Sequence, residues 1–166
     1  MTGDEIRARL DGPKPLVRGF IELEKQLQPA GFELTLGSVH ALKSSGSLDF
    51  SNERRTRAEL EDLEFENGLL HLQAGAYVIR YNEVVAIPKD IMALILPRST
   101  LLRNGATLYT AVWDPGYEGR GHGLLSVYNP QGLKLYPNAR IGQIIFLKLS
   151  RPVYQGYKGI YQYEGL

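Results

Sequence analysis

Three short segments carry groups that can handle a phosphate, a water and a sugar ring, and they occur in a fixed order along the chain. PRSTLLRNG (Pro97 to Gly105) sets Arg98, Ser99 and Thr100 side by side behind the apolar run IMALIL, with Arg103 following. An Arg fork, hydroxyls and turn N–H groups are the donors a phosphate needs, charge-assisted and partly bidentate. The same residues also read as a structural ion-pair Arg followed by Ser99 and Thr100 capping a short helix STLLRNG. WDPGYEG offers a carboxylate, Asp114, and a flat ring, Tyr117. Asp114 suits a general base on a water and Tyr117 a face under a sugar. Asp-Pro-Gly is equally a tight-turn sequence, in which Asp bonds its own backbone, Pro presets φ and Gly supplies positive φ. RIGQIIF adds Arg140 and Gln143 at the head of an apolar strand.

These groups need a scaffold, and 166 residues suffice for one domain with a substantial core. Nineteen basic and 18 acidic side chains leave a formal charge of +1, so any phosphate binding must be local. The absence of cysteine excludes disulfides, thiolate nucleophiles and cysteine zinc sites. His40, His71 and His122 are too scattered for a zinc cluster. MTGDEIRARL has acids and no apolar h-region, and no apolar run reaches the roughly 20 residues of a spanning helix. A soluble, cytoplasmic protein is expected.

Residues 3 to 10 predict a short helix with Asp4 as cap or first-turn acid, and DGPKP stops it. From there the pattern is almost wholly β: short β-branched or aromatic runs punctuated by Gly, Pro and Asn predict a sandwich or distorted barrel of antiparallel strands. SNERRTRAELEDLEFE (51 to 66) predicts an exposed loop or irregular edge strand, with a charged helix as rival. The closing YQGYKGIYQYEGL has the composition of an arm, 151–166, mobile alone but able to order against a ligand or a neighbouring subunit.

LQPAGFELTLG, NEVVAIP, PRSTLLRNG, WDPGYEG, NARIGQIIF and YKGIYQ together resemble the deoxycytidine triphosphate deaminase and deoxyuridine triphosphatase superfamily, and the archaeal type of triphosphatase in particular. The resemblance implies an all-β fold, a distorted jelly-roll-like β-barrel with a short N-terminal helix. It also implies a homotrimer with active sites between subunits, binding a deoxynucleoside triphosphate with Mg²⁺ and neither nucleic acid nor membrane. Deaminases of this group carry a catalytic Glu ahead of an Asn. Here Ser126 lies three places before Asn129, and a count forward from Asp114 without an insertion lands on Leu124. Neither can shuttle a proton as a carboxylate does.

The branch implied is hydrolysis of dUTP to dUMP and pyrophosphate. Asp114 would be the base, Tyr117 would pack on deoxyribose, and Arg98, Ser99 and Thr100 would hold phosphates. Arg103 and Gln143 would serve phosphate or a subunit contact, and Tyr161 or a neighbour in the arm would close over the nucleotide. The metal would come chiefly with the triphosphate. Uracil would be selected by backbone groups of ATLYTAVWD. Alternatives are a dCTP deaminase using a displaced acid such as Glu118, and a silent nucleotide-binding regulatory trimer. Glu33 stands where the family has Asp, GRGHG is about two residues longer than the usual turn and places His122 in a loop, and Ile160 replaces a Lys that Lys158 would stand in for.

Overall fold

Every second residue of the apolar runs faces inward, as the strand period of two requires, so Ile91, Ala93 and Ile95 are buried together, as are Ile144 and Phe146. The computed structural model describes residues 1–166. In its first half lie α1 (Gly3–Arg7), β1 (Val17–Arg18), α2 (Leu23–Gln26), β2 (Leu27–Gln28), β3 (Gly31–Leu42), β4 (Leu60–Leu63), β5 (Leu70–Leu72) and β6 (Gly75–Tyr81). There follow β7 (Val84–Ala86), β8 (Ile91–Pro97), α3 (Ser99–Arg103), β9 (Ala106–Tyr109), β10 (Glu118–Gly119), β11 (His122–Val127), β12 (Leu133–Leu135) and β13 (Arg140–Lys148).

The main sheet runs β8-β13-β3-β6-β11-β9, with β2 and β4 also paired to β3. All of these strand pairs are antiparallel. Beyond β9 the chain returns to β8: Ala93 and Trp113 exchange both backbone bonds, at 3.0 and 2.9 Å. That bridge joins the two ends of the strand order into a nearly closed barrel, which removes most of the exposed sheet edge. Small sheets β1-β7-β10 and β5-β12 flank it. β3 serves two walls, pairing β13 with its first half and β6 with its second. It turns the corner at Gly37, where the register shifts and an added Cβ would lie 3.1 Å from the Arg80 carbonyl oxygen.

One apolar cluster fills the interior, with Phe32, Leu34, Leu36, Ile79, Leu125 and Phe146 at its centre. Each such side chain contributes roughly 1.5–3 kcal/mol on burial. Inside it sits a carboxylate that the sequence pattern does not reveal. Glu83 is fully buried and accepts from the Thr35 amide (2.9 Å), the Thr35 hydroxyl (2.6 Å) and Gln26 Nε2 (2.7 Å). Burial pushes its carboxyl above the ordinary range, and these donors pull the other way. Gln26 in turn accepts from the amides of Ile21 and Glu22, which fixes the single turn α2. No helix is long and apolar enough to cross a membrane.

Several local expectations need correction. Helix α1 stops at Arg7 instead of running to residue 10; Thr2 caps it in a capping box with Glu5, and Asp4 is a first-turn acid, one of the two places expected for it. Ser99 and Thr100 do not cap α3: Arg98 occupies the cap position without a side-chain bond, and the helix ends at Asn104 and a left-handed Gly105, φ 73°. His122 is not in a loop but opens β11, opposite Arg80 of β6. The 51–66 segment forms a loop and the edge strand β4, and its rival helix does not form.

Candidate active site

Asp114, Pro115, Gly116 and Tyr117 form a tight turn, closed by a 3.1 Å bond from the Tyr117 amide to the Asp114 carbonyl. Gly116 has φ 90°, the conformation the third position of a type II turn demands. The Asp114 carboxylate takes no part in it: exposed, it accepts no hydrogen bond and forms no ion pair. The turn is therefore made by Pro and Gly, and the acid is left over for something else.

It faces a cleft of about 280 Å³ whose walls include Asp114, Trp113, Tyr117, Tyr157, Tyr161 and Glu164. Tyr117 is nearly buried, edge-on to Trp113 (5.1 Å between centroids) and to Tyr157 (5.7 Å). Its hydroxyl donates to Glu164 at 2.9 Å, and burial together with that carboxylate's charge holds the phenol far above its ordinary range, so it stays a donor. His122 also borders the cleft and meets the other oxygen of Glu164 at 3.2 Å. Ala111 and Val112 supply an open backbone edge: the peptide groups of Thr110, Ala111 and Val112 make no backbone hydrogen bond.

The arm is ordered against its own barrel. The Tyr157 amide donates to Pro115, Gln162 Nε2 to Gly116, and the Tyr163 amide to Glu118. Tyr161 therefore lines the cleft from above the turn. Lys158 does not; it borders a separate surface hollow with Lys89.

Arg98, Ser99, Thr100, Arg103 and Gln143 lie elsewhere, since none of them lines the cleft. Arg98 Nε donates to buried Glu33 at 2.7 Å and Nη1 to the Arg140 carbonyl at 3.3 Å, while Arg140 Nη1 stands 2.9 Å from the second Glu33 oxygen. Gln143 sits opposite Glu33 on β13. Ser99, Thr100 and Arg103 are exposed on α3. Arg98 is five residues past Ala93, the partner of Trp113, hence about 16 Å away at ~3.3 Å per strand residue. Within one chain the two groups of residues cannot grip one phosphate.

No cluster of three or more His, Asp or Glu side chains forms a metal cage. Of the residues around the cleft, sequence reasoning passed over Trp113 and Tyr157, placed His122 in a loop, and missed Glu164. Glu164 is 47 residues from Tyr117, a pairing that no local spacing encodes.

The model of the dCTP deaminase-like family matches residues 1–149. The chain belongs to that family. Probable deoxyuridine 5'-triphosphate nucleotidohydrolases of Methanosarcina mazei and Archaeoglobus fulgidus are 44% identical over 165 residues and 47% identical over 166. Those alignments cover 99% and 100% of this chain and 96% and 97% of the relatives. The deoxyuridine 5'-triphosphate nucleotidohydrolase of Methanocaldococcus jannaschii is 38% identical over 141 residues, 84% of this chain and 88% of that one. Among solved structures, the 2'-deoxycytidine 5'-triphosphate deaminase of Agrobacterium tumefaciens shares the fold, with a TM-score of 0.65 at 23% identity. It aligns over 88% of this chain and 46% of its own length. For this member of the dCTP deaminase-like family, the β-rich barrel architecture expected from the sequence is borne out.

Proposed function

We propose that this protein hydrolyses dUTP to dUMP and pyrophosphate, with Asp114 as the general base. The observation that carries this is the exposed carboxylate on the cleft wall that the turn does not use. The names of relatives 44–47% identical over essentially the whole chain support the same substrate.

Asp114 accepts a proton from the attacking water, whose oxygen forms a bond to the α-phosphorus as the bridging P–O bond to pyrophosphate breaks. Tyr117 packs its ring against the deoxyribose, and Tyr161 covers the nucleotide. The open peptide edge at Thr110–Val112 pairs with uracil, whose O4 and N3–H present the reverse pattern to cytosine.

The cleft is lined by two carboxylates, Asp114 and Glu164, and by no Lys or Arg. A triphosphate there needs cations, so the reading includes Mg²⁺ brought in on the phosphates, which would supply charge neutralisation for the leaving pyrophosphate. It also includes a homotrimer, in which Arg98, Ser99 and Thr100 of a neighbouring copy complete the phosphate site, with Arg103 and Gln143 at the same face. The chain acts as one domain, 1–166, with 151–166 as its closing arm. Glu118, the displaced acid a deaminase would require, is tied to Arg18 at 2.7 Å and does not line the cleft.

Incubation of purified protein with Mg²⁺ and either dUTP or dCTP tests the proposal. Pyrophosphate and dUMP from dUTP, with no ammonia from dCTP, is the expected result. Ammonia from dCTP would overturn the hydrolase assignment, and no product from either would leave a binding protein.

A further inference from the structure

We infer that Glu164 is a positioning residue: its two carboxylate oxygens hold the Tyr117 hydroxyl and His122 together, and so set both the posture of the Asp114 turn and the closure of the arm. The inference rests on the proposed hydrolysis for its kinetic reading. Its structural reading stands apart.

Glu164 Oε1 accepts from Tyr117 Oη at 2.9 Å, and Oε2 meets His122 Nδ1 at 3.2 Å. Its backbone is held as well, because its carbonyl accepts from the Arg120 amide at 2.9 Å. The Glu164 side chain is 22% exposed, which shields these contacts from bulk water. The chain is shaped for this approach. An added Cβ at Gly119 would lie 2.7 Å from the Tyr117 hydroxyl oxygen and 3.0 Å from the Glu164 carbonyl oxygen, and one at Gly116 would lie 2.8 Å from Gly156 Cα. The arm thus passes where only glycine leaves room.

Trp113 and Tyr157 pack edge-on against the Tyr117 ring and limit its rotation. Glu164 anchors the far end of the ring through the hydroxyl. Asp114 is three residues away in the same closed turn, so the acid's position follows the ring's.

Steady-state kinetics with dUTP and amide hydrogen exchange of the unliganded protein test the assignment in Glu164→Ala and Glu164→Gln. In Glu164→Ala we expect KM for dUTP to rise about tenfold with a smaller fall in kcat, and the amides of Arg120 and Tyr163 to lose protection. Glu164→Gln keeps an oxygen for the Tyr117 hydroxyl, so KM should return to within about threefold of wild type with protection largely restored. Wild-type KM and exchange in Glu164→Ala would overturn the inference, and so would a Glu164→Gln variant as impaired as Glu164→Ala. Exchange needs no substrate: loss of protection in a protein that leaves dUTP intact would sink the hydrolase reading and keep the positioning role of Glu164.

Discussion

At the scale of single residues, Asp114 and Glu83 are carboxylates with opposite fates. Asp114 has no bond to lose, so Asp114→Asn should leave the fold and nucleotide binding intact while lowering kcat by about 10²–10⁴-fold. A variant hydrolysing dUTP at near the wild-type rate would remove Asp114 from the base's role. Glu83 is the reverse case, since three donors from Thr35 and Gln26 depend on it. Glu83→Ala should cost about 2–3 kcal/mol by leaving those donors dry. Because burial raises the Glu83 carboxyl, the native state holds its proton more tightly than the unfolded chain does. Stability from this group is therefore present at low pH and lost as pH rises through the native titration. Relative to Glu83→Gln, the wild-type urea midpoint should decline from acid toward neutral pH, and parallel midpoints would refute the assignment.

At the scale of elements, the arm and the glycines beneath it decide how the cleft is covered. Truncation after Pro152 should leave the barrel folded, because the apolar cluster draws on Ile6 through Phe146 and takes only Tyr157 from the arm, at its edge. It should also bare Tyr117 and raise KM for dUTP, whereas loss of folding would make the arm a structural element. The strands were readable because their period-two apolar pattern is local. For Asp4 the pattern left cap and first-turn acid open, and it is the reciprocal bonding of Thr2 with Glu5 that makes Asp4 the first-turn acid. α2 escaped because one turn has no period; the Gln26 side chain fixes it from below. Among the residues that line the cleft, Asp114 and Tyr117 stand out in the sequence through their turn motif. Glu164 and His122 do not, since 42 residues separate two groups that only the folded arm brings together.

At the scale of the whole molecule, the Arg98–Glu33–Arg140 strip and the Asp114 cleft pose a question of assembly. A +1 chain has no long-range field to gather a triphosphate, and no Lys or Arg lines the cleft, so the proposed phosphate site needs a cation from outside it, the part proposed above for Arg98. Within the chain, Arg98 is bound to Glu33 and about 16 Å from the Trp113 bridge by strand length. A closed three-fold ring repeats one heterologous contact, and each such contact can pair the cleft of one copy with the α3 face of the next. Subunit mixing tests this directly. Asp114→Asn and Arg98→Ala chains should each be inactive alone, and Glu33 keeps Arg140 as partner in the second. Assembled at equal ratio from unfolded chains, the mixture should regain about a quarter of wild-type activity, because a quarter of random neighbours unite an intact Asp114 with an intact Arg98. Activity no greater than the average of the two parents would mean that each chain completes its own site, and the trimeric site would have to be abandoned.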